Sequence, residues 1–157
     1  MASSQPPFEG GCLCGAVRYR VQGPAIAAAT CHCAMCRRAA GAPFVSFGVV
    51  PSDQFSWTRG KPKLYRSSAT GRRHFCGECG AQLTVESTDR PGSIEFTLGT
   101  LDEPDKLIPT YHVWCMSQLR WVHVSPAEPQ LTANTAQAVA DSGFVIPRHT
   151  SWGEPEQ

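Results

Sequence analysis

The chain has 157 residues, with 14 Lys and Arg against 13 Asp and Glu and a formal net charge of +1. That length suits one domain with a real core, and the near-neutral, mixed charge offers no electrostatic footprint for nucleic acid or an acidic membrane surface. No apolar run approaches the roughly 20 residues that span a bilayer, and Met1–Gly11 lacks the basic stretch and apolar core of a secretory signal; the expected compartment is the cytoplasm.

In chain order, residues 1–9 (MASSQPPFE) read as a disordered lead-in. From Gly10 the pattern is one of short strands. Val17, Tyr19 and Val21 alternate with Arg18 and Arg20, as on a half-buried strand. The spacing predicts one or two helical turns from Ala34 to Ala40, through Cys36. Phe44, Phe47, Val49 and Val50 form an apolar run closed by Pro51. Leu83 and Val85 alternate with Gln82, Thr84 and Glu86, and Ile94, Phe96 and Leu98 with Glu95 and Thr97. Tyr111 with Val113, and Trp121 with Val122, suggest further strands. Gly23-Pro24, Gly60-Lys61-Pro62, Arg90-Pro91-Gly92 and Glu103-Pro104-Asp105 punctuate the chain. A weaker helix is expected at 132–140 (TANTAQAVA). The expected class is mainly β, with a single domain at 10–124 and a C-terminal extension at 125–157 draped over it.

The chain has eight cysteines, and seven of them are clustered. They fall into Cys12-x-Cys14, Cys31-x-Cys33-x-x-Cys36 and Cys76-x-x-Cys79-Gly80. In a reducing compartment such a set is not a disulfide framework, and pairs this tight bridge only with strain. They suit a shared metal. Zinc takes four tetrahedral thiolate or imidazole ligands, and a glycine after the second cysteine relieves the backbone where it turns away. Seven ligands make one closed site of four and leave three for a second ion with an open position. The natural split keeps Cys31, Cys33 and Cys36 together and joins Cys12 and Cys14 to Cys76 and Cys79, although spacing alone admits other partitions.

Cys115, His32, His74 or His112 could close the open position from within the protein. The expectation for His32 is a supporting or exposed histidine, and for Cys115 a small buried hydrophobe. Three thiolates on one zinc ion carry a formal charge of −1, which weakens its power to ionise water and suits it to exchange soft sulfur ligands. A thiol held there loses its proton near neutral pH and is positioned to attack. The residues therefore point to a thiol substrate.

Three stretches carry a resemblance: Gly10-Gly11-Cys12-Leu13-Cys14-Gly15-Ala16-Val17, Cys31-His32-Cys33-Ala34-Met35-Cys36-Arg37-Arg38 with Gly41-Ala42-Pro43-Phe44, and Arg73-His74-Phe75-Cys76-Gly77-Glu78-Cys79-Gly80. With the Gly99-Thr100-Leu101-Asp102 segment, the chain resembles the glutathione-dependent formaldehyde-activating family, which also includes centromere protein V-like proteins. The resemblance covers about Gly10 to Val122 and leaves Ser125 to Gln157 unmatched. It implies a single domain of twisted antiparallel sheets around a structural zinc, as in a Rab-associated zinc chaperone. It also implies a structural ion on Cys12, Cys14, Cys76 and Cys79, and a catalytic one on Cys31, Cys33 and Cys36. The activity implied is addition of glutathione to formaldehyde, that of a carbon–sulfur lyase read in reverse, with glutathione and an aldehyde as partners. Arg37, Arg38, Lys61, Arg72 and Arg73 are candidates for the glutathione carboxylates. The competing reading is a non-catalytic zinc module, glutathione carrier or interaction scaffold. A redox or metal sensor ranks last.

Overall fold

The computed structural model describes residues 7–132. Ten strands and one α-helix lie among them: β1 Phe8–Gly11, β2 Arg18–Val21, β3 Ala27–Cys31, α1 Ala34–Ala40, β4 Val45–Pro51, β5 Phe55–Arg59, β6 Lys63–Arg66, β7 Gly71–Phe75, β8 Gln82–Ser87, β9 Ser93–Thr97 and β10 Tyr111–Val113. The small sheet runs β1-β2-β5, and the large one β10-β3-β4-β9-β8-β7-β6. Among the described residues no helix is long and apolar enough to cross a membrane.

The large sheet is apolar on both faces. On one, Val50, Leu83, Ile94 and Phe96 pack against Tyr19 and Val21 of the small sheet. On the other, Ala29, Cys31, Phe47, Val49 and Val113 pack with Cys33 and Cys36 of the α1 region, with Trp114 and with Leu131. A strand buried on both faces loses the alternation of a half-exposed one. In β9, Ile94, Glu95 and Phe96 are all buried. β2 keeps its alternation, with Tyr19 and Val21 inward and Arg20 exposed.

The helix falls on the predicted residues. Cys33 is its N-cap, accepting from the Cys36 N–H, and Gly41 closes it at φ 61°, a left-handed conformation that costs glycine little. Several expectations need correction. Phe8 and Glu9, placed in the lead-in, belong to β1 and pair with Val21 and Arg20, because Phe8 has a core to enter. Leu98 lies in a 3-10 turn rather than on β9. Trp121 and Val122 form no strand: the Val122 N–H returns to the Leu119 carbonyl at 3.0 Å, and Trp121 is exposed. The sheets are not wholly antiparallel, because β10 runs parallel to β3. The weaker helix at 132–140 lies, but for Thr132, outside the described residues.

The start of the C-terminal extension lies on β10. Leu131 donates to the His112 carbonyl at 2.9 Å and accepts from the Cys115 N–H at 3.0 Å, while its side chain is buried.

Arg18 of β2 forms a two-armed ion pair with Asp102, one arm at 2.8 Å, and the guanidinium holds the Asp102 carboxyl below its usual range. A carboxyl with a lowered folded pKa adds stability above the unfolded value of about 3.9, and loses it as pH falls through the folded value. The pair is solvent-exposed, so its worth is under about 1 kcal/mol. Acid melts of Asp102→Asn and wild type are expected to differ slightly at pH 7 and to converge below pH about 3.

Candidate metal centres

Cys12 and Cys14 lie on the turn between β1 and β2, where Gly15 N–H reaches the Cys12 carbonyl at 3.1 Å. Cys76 and Cys79 lie on the turn after β7, where Gly80 N–H reaches the Cys76 carbonyl at 2.9 Å and Gly80 itself has φ 77°. The four sulfur atoms lie within 4.8 Å of one another. Cys12 and Cys14 Sγ are 3.6 Å apart, and Cys14 and Cys76 Sγ 3.8 Å. A tetrahedron of sulfurs about 2.3 Å from a central zinc has edges of about 3.8 Å. The donor set and its spacing therefore fit zinc. Val17 N–H donates to Cys12 Sγ at 3.2 Å, and Cys79 is pushed down to about 6, first by the Ala81 N–H. Both contacts favour thiolates.

Cys31 ends β3, Cys33 caps α1 and Cys36 lies in the helix's first turn. Their sulfur atoms also lie within 4.8 Å of one another, and all three residues are buried. Cys36 N–H donates to Cys33 Sγ at 3.3 Å. Cys33 is pushed down to about 3 by hydrogen bonds from the Cys31 and Cys36 sulfurs. Cys31 is raised well above its ordinary value by Cys33 and Cys36. The first thiolate is thus easy to form and the next is resisted. A cation at their centre removes that resistance.

No other His, Cys, Asp or Glu among the described residues brings a ligand atom into either group. His32, fully buried, turns away to His112, with Nε2 and Nδ1 2.8 Å apart, and His112 Nε2 meets Glu128 Oε2 at 2.6 Å. His74 bonds Thr84 at 3.0 Å. Cys115 is half-buried and pushed up to about 11 by that burial. None of the eight cysteines is paired in a disulfide.

The five basic candidates separate in space. Arg73 on β7 is 5% exposed. Its Nη2 donates to Cys36 Sγ at 3.5 Å and its Nη1 to Gln82 at 3.4 Å, while its buried Nε has no partner among the described residues. Arg38 stands on the rim of a groove beside α1. Arg37, Lys61 and Arg72 line neither that groove nor the cavity at the three cysteines. That cavity, of about 70 Å³, is bounded by Cys33, Cys36, Arg73, Arg90 and Trp114 among others. The groove, of about 850 Å³, shares Met35, Ser67 and Arg73 with it.

Glu95 and Trp114 escape a reading of the sequence. Glu95 is 2% exposed, pairs with Arg90 at 2.5 Å and is pushed up to about 7 by burial. On an alternating strand it reads as solvent-facing. Trp114, at φ 58°, holds an uncommon left-handed backbone for a bulky residue on the cavity wall.

A family model described as "Glutathione-dependent formaldehyde-activating enzyme" matches residues 7–117. The chain belongs to that family. A Fusarium vanettenii relative named "Putative glutathione-dependent formaldehyde-activating enzyme" is 31% identical over 87% of this chain and 68% of its own length. A Halomonas elongata relative of the same name is 26% identical over 77% of this chain and 83% of its own. An uncharacterised lyase of Schizosaccharomyces pombe is 34% identical over 54% of this chain, and the match spans 61% of that protein. A crystal structure of a Rhodobacter sphaeroides protein superposes with a TM-score of 0.52 at 25% identity, covering 60% of this family member and 87% of the other chain. That likeness agrees with the mainly β class.

Proposed function

We propose that the chain is a zinc-dependent enzyme of the carbon–sulfur lyase type, which adds glutathione or another thiol to formaldehyde or a small aldehyde. Cys12, Cys14, Cys76 and Cys79 hold a structural zinc, and Cys31, Cys33 and Cys36 a catalytic one. The observation that carries this reading is the incomplete donor set: three buried sulfurs, no fourth ligand among the described residues, and a cavity beside Cys33 and Cys36. Cys31, Cys33 and Cys36 would hold the ion, which would supply Lewis acidity that lowers the proton affinity of an incoming thiol.

The chain's own residues supply the rest. The addition is redox-neutral: a carbon–sulfur bond forms, the carbonyl π bond breaks, and the proton lost from sulfur is regained at oxygen. Burial around Cys31, Cys36 and Trp114 excludes water and strengthens charge interactions. Arg73 places a fixed positive charge at Cys36 and offers its unpartnered Nε to the alkoxide that develops as sulfur attacks. Such donors act where charge appears in the transition state.

Arg73→Gln is expected to lower kcat about 100-fold, with Arg73→Lys recovering part of the loss. The check is S-hydroxymethylglutathione formation followed by exchange NMR above the uncatalysed rate, with metal content measured in parallel. Full metal loading in Arg73→Gln with unchanged kcat would remove Arg73 from the mechanism.

A further inference from the structure

The cavity at the three cysteines holds about 70 Å³, room for a thiol's sulfur and the carbon that bears it but not for a tripeptide. The body of a peptide thiol must therefore lie in a recess that opens from it, and two adjoin. One, of about 240 Å³, shares Glu86, Ser87 and Arg90 with the cavity and adds Arg72. It presents an acid, and its Arg90 is already paired with Glu95 at 2.5 Å. The other is the groove of about 850 Å³ beside α1, which shares Met35, Ser67 and Arg73 with the cavity and has the size of a small-molecule site.

The walls of that groove complement an anion. Arg38 and Arg73 line it, and no Asp or Glu does. From α1 it takes Ala34, Met35, Arg38 and Ala39, positions on one side of a helix. Arg73 is committed to Cys36 and Gln82. Arg38 is exposed and belongs to no ion pair among the described residues. Two further donors on groove residues, Ser67 Oγ and Gln82 Nε2, are buried without a hydrogen-bond partner among the described residues. A ligand that brings a carboxylate and amide carbonyls meets all three, and buried donors ordinarily have a partner.

Glutathione has two acidic ends of different kind. Its γ-glutamyl carboxylate stands beside an ammonium, which would need an acid that the groove lacks. Its glycyl carboxylate stands alone. Resting on the reading that the cysteine trio takes glutathione as its thiol, we propose that Arg38 is the specificity-determining residue of the thiol site and holds the glycyl carboxylate. The peptide lies along the groove, and its cysteinyl sulfur passes Arg73 to reach Cys33 and Cys36. Selection rests on a two-pronged guanidinium–carboxylate pair, and the γ-glutamyl head, unmatched in charge, points to solvent.

The test is a double-mutant cycle. Affinity and KM are measured for glutathione and for its glycyl monoethyl ester, in the zinc-loaded wild type and in Arg38→Gln. S-methylglutathione and its matching ester, followed by saturation-transfer NMR, report binding without turnover. The ester leaves the thiol and the ammonium untouched, so the ratio isolates one carboxylate. Esterification is expected to weaken binding about fivefold in the wild type, the upper end for an exposed pair, and to cost Arg38→Gln almost nothing. KM is expected to follow while kcat holds, and Arg38→Lys to recover part of the discrimination. Zinc content and melting temperature report that the variants fold. An equal penalty in wild type and Arg38→Gln, or none in the wild type, would overturn this inference, while saturable glutathione binding in the same titrations leaves the thiol-addition reading standing. Loss of the penalty in Arg72→Gln instead would place the peptide in the smaller recess and also overturn it. A wild type that neither binds glutathione nor turns over any aldehyde would overturn both.

Discussion

Cys76→Ser is expected to cost several kcal/mol of stability, on the order of 3 or more, because structural metal binding is folding energy. Cys76 is fully buried and follows β7 at the far side of the large sheet from β10. Its partners Cys12 and Cys14 stand on the turn that joins β1 to β2 in the small sheet. One ion on the four sulfurs would therefore tie the two sheets together across 62 residues of sequence. A serine oxygen is a poor substitute for thiolate on zinc and, without metal, is a hydroxyl in an apolar setting with few partners. Against the roughly 5–15 kcal/mol that stabilises a typical domain, this loss is expected to lower the melting temperature sharply and to release one zinc per chain. Thermal melts with parallel metal analysis read both. A Cys76→Ser protein with the wild-type melting point and metal content would contradict a structural role.

Cys33→Ser is expected to behave in the opposite way, abolishing thiol binding while the fold survives. Cys33 caps α1 through a side chain that accepts from the Cys36 N–H, and serine is among the preferred N-cap residues. The helix start is therefore kept, and the expected destabilisation is about 1 kcal/mol. What is lost is one of three thiolates in a site that has no spare ligand among the described residues. Glutathione affinity by calorimetry is expected to fall at least 100-fold. Equal thermal collapse of Cys33→Ser and Cys76→Ser would show that the division into one closed and one open site is wrong.

The cysteine groups were legible in the sequence because their members lie on single turns, where spacing maps directly onto space. Pairing the Cys12 turn with the Cys76 turn is a tertiary fact. It agrees with the split favoured from clustering, which spacing had left open. The helix at Ala34–Ala40 and the strands carrying Tyr19, Leu83, Val85, Ile94 and Phe96 were legible from local pattern. β3 was not, because Ala27, Ala28 and Ala29 are weak strand formers that serve here as small residues packed on both faces of the sheet. β6 was hidden for the opposite reason: Lys63, Leu64, Tyr65 and Arg66 are all exposed at the sheet edge, so no inward period marks them. Glu95 looked outward on an alternating strand and proved buried, since alternation cannot reveal that a sheet is covered on its second face. Arg73, one of five basic candidates in the sequence, was singled out only by its place on β7, opposite the cysteine trio.

The most direct test of the central claim is X-ray absorption at the zinc edge, with metal analysis, on the full chain with and without glutathione. The account expects two zinc ions per chain and an average sulfur coordination rising from about 3.5 to about 4 per zinc as glutathione binds. A single zinc with four sulfur ligands, unchanged by glutathione, would contradict it.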